Sequence, residues 1–216
     1  MGLLLYFGVI LIPLLGGLFC FYSRKVSIRN SIAISAVCLM LVEVLALTIY
    51  VFKAGGVYRI GVDQTLFDLD WIVKFLNLIL LIYLVYLGIR IRKLVISILS
   101  VFQIIPLIIF EIFITYNSPK LTFVIDRLSL AVMLLSSLAG SIIIVYSLGH
   151  LDHRINILDL KNRRQPGFFM TMLLLIAGTN LAASANNLMW IYFVWNASGL
   201  CIFTLFYISG KKKLFD

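Results

Sequence analysis

Seven apolar runs of bilayer-crossing length, separated by short gaps, occupy most of this 216-residue chain. A helical crossing takes about 20 mainly apolar residues. The runs are roughly Leu3–Tyr22, Ile32–Phe52, Trp71–Ile89, Leu94–Tyr116, Phe123–Leu148, Gly167–Ser184 and Asn187–Ser209. In hydrocarbon every backbone polar group must be satisfied internally, so runs of this kind fold as helices. A content of 62% hydrophobic and 12% charged residues excludes an ordinary soluble domain. The expected fold is an all-α integral membrane protein, a single transmembrane domain over residues 1–216 with about seven transmembrane helices. Leu3–Tyr22 lacks a basic leader and a small-residue cleavage site, so it reads as the first span and not as a signal peptide.

The gaps alternate in charge. Arg24, Lys25 and Arg29 follow the first run, and Arg90, Arg92 and Lys93 follow the third. Arg154, Lys161, Arg163 and Arg164 follow the fifth, and Lys211, Lys212 and Lys213 follow the seventh. One side thus carries thirteen of the 18 basic residues; the other holds Lys53, Arg59, Lys74, Lys120 and Arg127. The excess of basic over acidic residues therefore signals topology, and no nucleic acid partner is expected. The positive-inside rule puts the N-terminus outside and the C-terminus in the cytoplasm. Two gaps have some length. In the outer one, Lys53 to Asp70, Gly55-Gly56 signals a turn and the alternating Val57–Val62 predicts a short strand or hairpin. The inner one, His150 to Pro166, is polar and predicts an interfacial helix that Pro166 breaks.

Polar residues inside the spans are the candidate functional groups, because such residues are costly in lipid unless they face protein or water. In the last run Asn196 and Ser198 stand near the middle, beside Trp195 and Gly199. Glu43 lies near the middle of the second run, either as a proton-relay member or ion-pair partner, or as a hydrogen-bonded lock between helices. Glu111 sits in the outer third of the fourth run and reaches toward the interface. Asp126 and Arg127 open the fifth run; the carboxylate suits a helix N-terminus as a cap, and the pair also suits contact with another subunit. His150 and His153, three apart, share a helix face and could pass protons at the membrane surface, but no second cluster completes a metal site. The small-residue stretch Ala177–Ala185 predicts close helix packing, and Asn180, Asn186 and Asn187 mark the reversal between the last two spans. Cys20, Cys38 and Cys201 lie inside apolar runs as packing residues, not as disulfide or metal ligands. Asn196-Ala-Ser198 fits the glycosylation pattern but lies inside a span, out of reach of that modification. No phosphate loop, nucleophile–base pair or haem pattern is present, so no covalent catalysis is expected from this chain and no cofactor in it.

The last three runs carry a resemblance. Phe123-Val-Ile-Asp-Arg-Leu-Ser-Leu-Ala-Val-Met133 with Val145-Tyr-Ser-Leu-Gly-His150 resembles the "DGLSL … YS-x-GY" helix of antiporter-like membrane subunits. Gly167-Phe-Phe-Met170 and Asn187-Leu-Met-Trp-Ile-Tyr-Phe-Val-Trp-Asn-Ala-Ser-Gly-Leu-Cys-Ile-Phe-Thr-Leu205 resemble the "FF … NLL … WE-x-x-GLCSYLL" block of the same family. That family comprises the NADH dehydrogenase subunit 5 (subunit L) group of respiratory complex I, its counterparts in membrane-bound hydrogenases, and the large subunit of Mrp-type sodium/proton antiporters. The resemblance covers about the last 90 residues. It implies a bundle with inverted five-helix repeats, each a half-channel for protons, and a multi-pass subunit of the bacterial or archaeal cytoplasmic membrane, with the mitochondrial inner membrane as the alternative.

The chain departs from the family pattern in three places. Asn196 stands where the family places a glutamate that pairs with a lysine on a later helix. The sequence ends at Asp216, early in the first repeat, which makes a truncated antiporter-like bundle the expectation. Residues 71–116 read as an inserted helix pair between an N-terminal part, 1–70, and the antiporter-like part, 117–216. The resemblance implies a membrane subunit of a complex I-related or hydrogenase-related assembly that contributes to or scaffolds a proton or sodium half-channel. The alternative is a non-conducting docking subunit. Flavin, iron–sulfur or nickel–iron centres would belong to partner subunits. Other membrane subunits are the expected partners, together with lipids and a chain supplying the missing helices. The face of the last helix at Asn196 and Ser198 is expected to await such a neighbour.

Overall fold

The fold comes from a computed structural model that describes residues 2–61, 69–90, 97–105, 109, 122–158 and 165–208. It is all-helical apart from one small sheet. Helices α1 (Gly2–Tyr22) and α2 (Val26–Lys53) precede strand β1 (Tyr58–Gly61), and α3 (Leu69–Arg90) follows. Residues 97–105 are helical (α4). Strand β2 (Thr122–Ile125) then leads into α5 (Arg127–Leu158), α6 (Gln165–Ser184) and α7 (Leu188–Ile208). Among the described residues six helices are long and apolar enough to cross a membrane, namely all but α4. The fourth expected span, Leu94–Tyr116, lies largely outside the described residues.

Helices α1, α2, α5 and α6 form the core, with α1 packed on α2 and α6, and α5 on the same two. Helix-to-helix burial in lipid gains little from the hydrophobic effect, so close approach through small side chains has to supply contact. Glycines provide it here. A methyl on Gly16 would stand 2.6 Å from Cβ of Ala36 on α2, and one on Gly17 would stand 3.2 Å from the carbonyl oxygen of Met170 on α6. Gly140 of α5 likewise gives its space to the Ile176 side chain. Tyr6, Val9, Met40, Leu47, Met133, Ile144 and Leu173 fill the interior between these contacts.

The sheet closes one end of this core. β1 and β2 pair antiparallel, Tyr58 opposite Ile125 and Gly61 opposite Thr122. The strand expected at Val57–Val62 is therefore present, but its partner is distant in sequence. Phe123, expected to begin the fifth span, lies in β2 instead, and the helix starts at Arg127. Burial in the core explains why Phe123 is not helical: it packs 5.4 Å from the Tyr6 ring and 5.6 Å from Trp190 and bridges to the backbone of Ala185. Gly55 and Gly56 turn the chain into β1 at φ of 94° and 87°, values that glycine adopts without strain. At Gly56 the Arg127 guanidinium lies where a side chain would be.

Three boundaries differ from the sequence reading. α5 continues to Leu158, beyond the expected end of its span, and Pro166 opens α6 rather than ending a helix. A proline in a first turn forfeits no helical hydrogen bond and its φ is already helical, so a start is the favoured reading. α2 begins at Val26 and so takes in Arg29, expected in a loop. Arg29 is 1% exposed, and its Nη2 donates to Oε1 of Gln165 at the start of α6.

Candidate functional site

Helix α7 packs on α6 and carries α3 on its other side, so α3, α4 and α7 form a flank outside the core. Asn196 is the ninth residue of α7 and Asn77 the ninth of α3. At helical rise each lies about 12 Å along its helix. The two carboxamides meet there: Asn196 Nδ2 donates to Asn77 Oδ1 at 3.4 Å. Asn77 is 0% exposed and Asn196 8%. The bond is long, and the Asn77 Nδ2 group is buried with no hydrogen-bond partner among the described residues.

Beside this pair a cleft of about 320 Å³ opens between the three helices. Asn196, Gly199 and Trp195 of α7, Leu84 of α3, and Ser100 and Gln103 of α4 are among its lining residues. One turn from Asn196, the Tyr192 hydroxyl donates to the Gln103 carbonyl at 3.4 Å and ties α4 to α7. Trp195 is 77% exposed at the rim.

The structure thus corrects one expectation. The face holding Asn196 is not left for another chain, because α3 covers it. Ser198 is half-buried and turned toward α6, where its hydroxyl would lie 3.9 Å from a methyl on Gly178. Gly199 and Trp195 remain on the open side.

The other candidates are dispersed. Glu43 is half-buried on α2; a methyl on Gly8 of α1 would stand 3.1 Å from its carboxyl, and Oε2 is buried without a partner among the described residues. It belongs to the core, on different helices from the amide pair. Asp126 caps α5: its Oδ1 accepts from the Ser129 N–H at 2.7 Å, and that hydrogen bond holds the carboxyl below its ordinary value. Asn187 caps α7 in the same way, accepting from the Met189 N–H at 3.0 Å. Asn180 is not at the reversal but inside α6 and 0% exposed. It accepts from the Ser136 hydroxyl at 2.6 Å and donates to Ser137 at 3.2 Å, joining α6 to α5. Ser184, further along α6, shares a 2.6 Å hydroxyl bond with Tyr6 of α1. Glu111 and the side chains of His150 and His153 lie outside the described residues. Cys20 and Cys201 are buried, whereas Cys38 is exposed on the outer face of α2. Among the described residues no group of acidic, histidine and cysteine side chains could hold a metal ion.

Three residues of consequence were not singled out from the sequence: Asn77, Gln103 and Arg29. The first two do interrupt apolar runs, and being uncharged they do not break a hydropathy signal. Arg29 reads with its neighbours as a loop cation. No protein-family model matches the chain, and no curated protein matches it.

Proposed function

We propose that this multi-pass membrane protein is an antiporter-like subunit that scaffolds an ion-translocating assembly related to respiratory complex I or to the membrane-bound hydrogenases. Its place is the bacterial or archaeal cytoplasmic membrane. The observation that supports the reading best is the Asn77–Asn196 pair. On the resemblance, position 196 is where an acid would carry protons; here an amide stands there and its partner is another amide. Neither side chain takes up or releases a proton, so no relay passes through α7 at this depth. α3 and α4 instead close the face toward which the family's later helices would turn. The redox centres and the driving reaction fall to partner subunits.

Purification through a tag on this chain, in mild detergent from native membranes, tests the assembly. Co-purifying redox subunits are the expected result, and a lone polypeptide would overturn the reading. The Asn196→Glu variant tests the scaffold role. If its abundance in the assembly matches the parent, ions pumped per electron and the pH profile should both stay unchanged. A shifted profile would make α7 part of a conducting path.

A second reading, conduction through the core, has one observation in its favour: the buried Oε2 of Glu43 against Gly8, without a partner among the described residues. Under it Glu43→Gln lowers pumping several-fold with assembly intact. Under the scaffold reading the same exchange leaves pumping at the parent rate.

A further inference from the structure

Glu43 stands deep in the apolar run of α2, about 14 Å along the helix from Phe52 and about 17 Å from Ile32. Its carboxyl lies across α1 at Gly8: a methyl there would meet Cδ and Oε2 at 3.1 Å, so Oε1 is the oxygen turned away from α1. Oε2 is buried, and neither oxygen has a hydrogen-bond partner among the described residues. The residue is only half-buried, which puts it at the lip of the α1–α2 seam and not in the interior. That lip is apolar and open. Leu4 and Leu11, one turn either side of Gly8, are exposed, and so are Leu39 and Val42 beside Glu43.

Lipid against this face would leave the carboxyl bare. As an anion it would lack a counter-charge in hydrocarbon, and as an acid it would lack an acceptor for its proton. A second copy of this chain does not supply the counter-charge either. The described cations of its spans lie near helix ends: Arg29 and Lys53 in the first and last turns of α2, Lys74 and Arg90 toward the two ends of α3, and Arg127 at the start of α5. A different chain is needed to bring a cation to this depth.

We propose that the α1–α2 seam at Glu43 docks a transmembrane helix of a partner subunit that carries a lysine or arginine near its middle. The inference rests on the scaffold reading above and names the surface that does the scaffolding. Oε1 faces the incoming cation, while Leu4, Leu11, Leu39 and Val42 meet the apolar flank of the same helix. Such a pair sets both depth and rotation of the partner, because a shift of either bares two charges in lipid. Gly8 serves the site by leaving the carboxyl its place at the seam.

The test uses the assembly isolated through this chain. Benzophenone maleimide is attached at Val42→Cys or Leu11→Cys in a Cys20→Ser, Cys38→Ala, Cys201→Ala background, and the photoadduct is sequenced by mass spectrometry. Both positions should attach to one span of another subunit, with a lysine or arginine near its middle. Attachment to lipid alone, to a second copy of this chain, or to a span without that cation would overturn the proposal. Isolation of a lone polypeptide would remove the scaffold reading and this surface together, whereas co-purifying redox subunits with a face that labels only lipid would remove this surface alone. Glu43→Gln keeps the shape of the side chain, so it should fold as the parent does. Recovery of the assembly should fall at least about tenfold, because the partner's cation is left unpaired. Exchange of that cation for glutamine in the same strain should restore recovery, and the complexes that form should pump at the parent rate. Recovery unchanged by Glu43→Gln, or a fall that the second exchange does not relieve, would overturn the docking role; lowered pumping with recovery intact would replace it by conduction.

Discussion

The core and the flank of this protein are both helices against helices, but they are held by different means. In the core α1, α2, α5 and α6 meet through Gly16, Gly17 and Gly140, and polar bonds such as Tyr6–Ser184 and Asn180–Ser136 run between tightly apposed backbones. In the flank α3 and α7 meet at two carboxamides beside a cleft, and α4 is tied in by the Tyr192 hydroxyl. With no hydrophobic gain between helices in lipid, contact must come from close packing or from polar pairing. The core relies mainly on the first and the flank on the second. A flank so held should tolerate substitution that the core does not.

The sharpest way to break this contrast is to put bulk at a core glycine. Gly16→Leu drives a side chain into Ala36, whose Cβ would already be 2.6 Å from a single methyl, with Leu173 close behind. Overpacking of this kind costs about 1–3 kcal/mol, and here the upper end applies because the neighbour is a helix and not a flexible tip. Thermal unfolding in detergent should show a clear drop in midpoint. Gly199→Leu in the flank, where nothing lies within 4 Å of the added Cβ, should leave that midpoint near the parent value. Equal losses at both positions would erase the distinction between the two regions.

Legibility in the sequence followed the same division. The spans could be read because length and apolar content decide them, and six of the seven appear among the described residues as helices of sufficient length. The capping role of Asp126 was also readable, since a carboxylate beside a helix start acts on backbone groups a few residues away. What hydropathy leaves unspecified is which faces meet. Asn196 was visible as a costly amide, but its partner lies 119 residues earlier on a helix whose one amide barely lowers the apolar average. Burial of Arg29 was hidden for a related reason. Charge marks a residue for the interface, whereas the approach of Gln165 from α6 accompanies its burial inside. β2 escaped notice because Thr122–Ile125 is as apolar as the helix that follows. The pairing with β1 wins there, a tertiary choice that local composition does not announce.

The amide pair permits a second, smaller test. Asn77→Leu and Asn196→Leu each leave one carboxamide facing an apolar side chain, while the double variant removes both. Interhelical hydrogen bonds in membranes average about 0.6 kcal/mol and reach about 1.7. Each single exchange should therefore cost about 1 kcal/mol, and the pair together less than the sum of the two. The same cycle on Ser137→Ala and Asn180→Leu in the core should show a larger single-site loss at Asn180, whose carboxamide bonds two serines at once. Strict additivity at Asn77 and Asn196 would mean that the 3.4 Å contact holds nothing together and that the flank is secured elsewhere.

An effect of similar size to the single amide exchanges is expected at the rim of the core, where Asp126 caps α5 and fixes the join between β2 and that helix. The Ser129 N–H bond lowers its pKa in the fold relative to the unfolded chain. The ionised form is therefore favoured by folding. Its contribution is complete above the ordinary carboxylate range and fades as pH falls through the lowered value. Loss of a cap of this kind costs about 1 kcal/mol. Asp126→Ala should show that loss at neutral pH and a flatter acid limb in the unfolding midpoint. Asp126→Asn keeps an oxygen that accepts from Ser129 but has no proton to gain, so it should retain most of the neutral-pH stability and still flatten the acid limb. An acid limb unchanged in both variants would place the titration elsewhere and reduce Asp126 to a spectator at the strand–helix join.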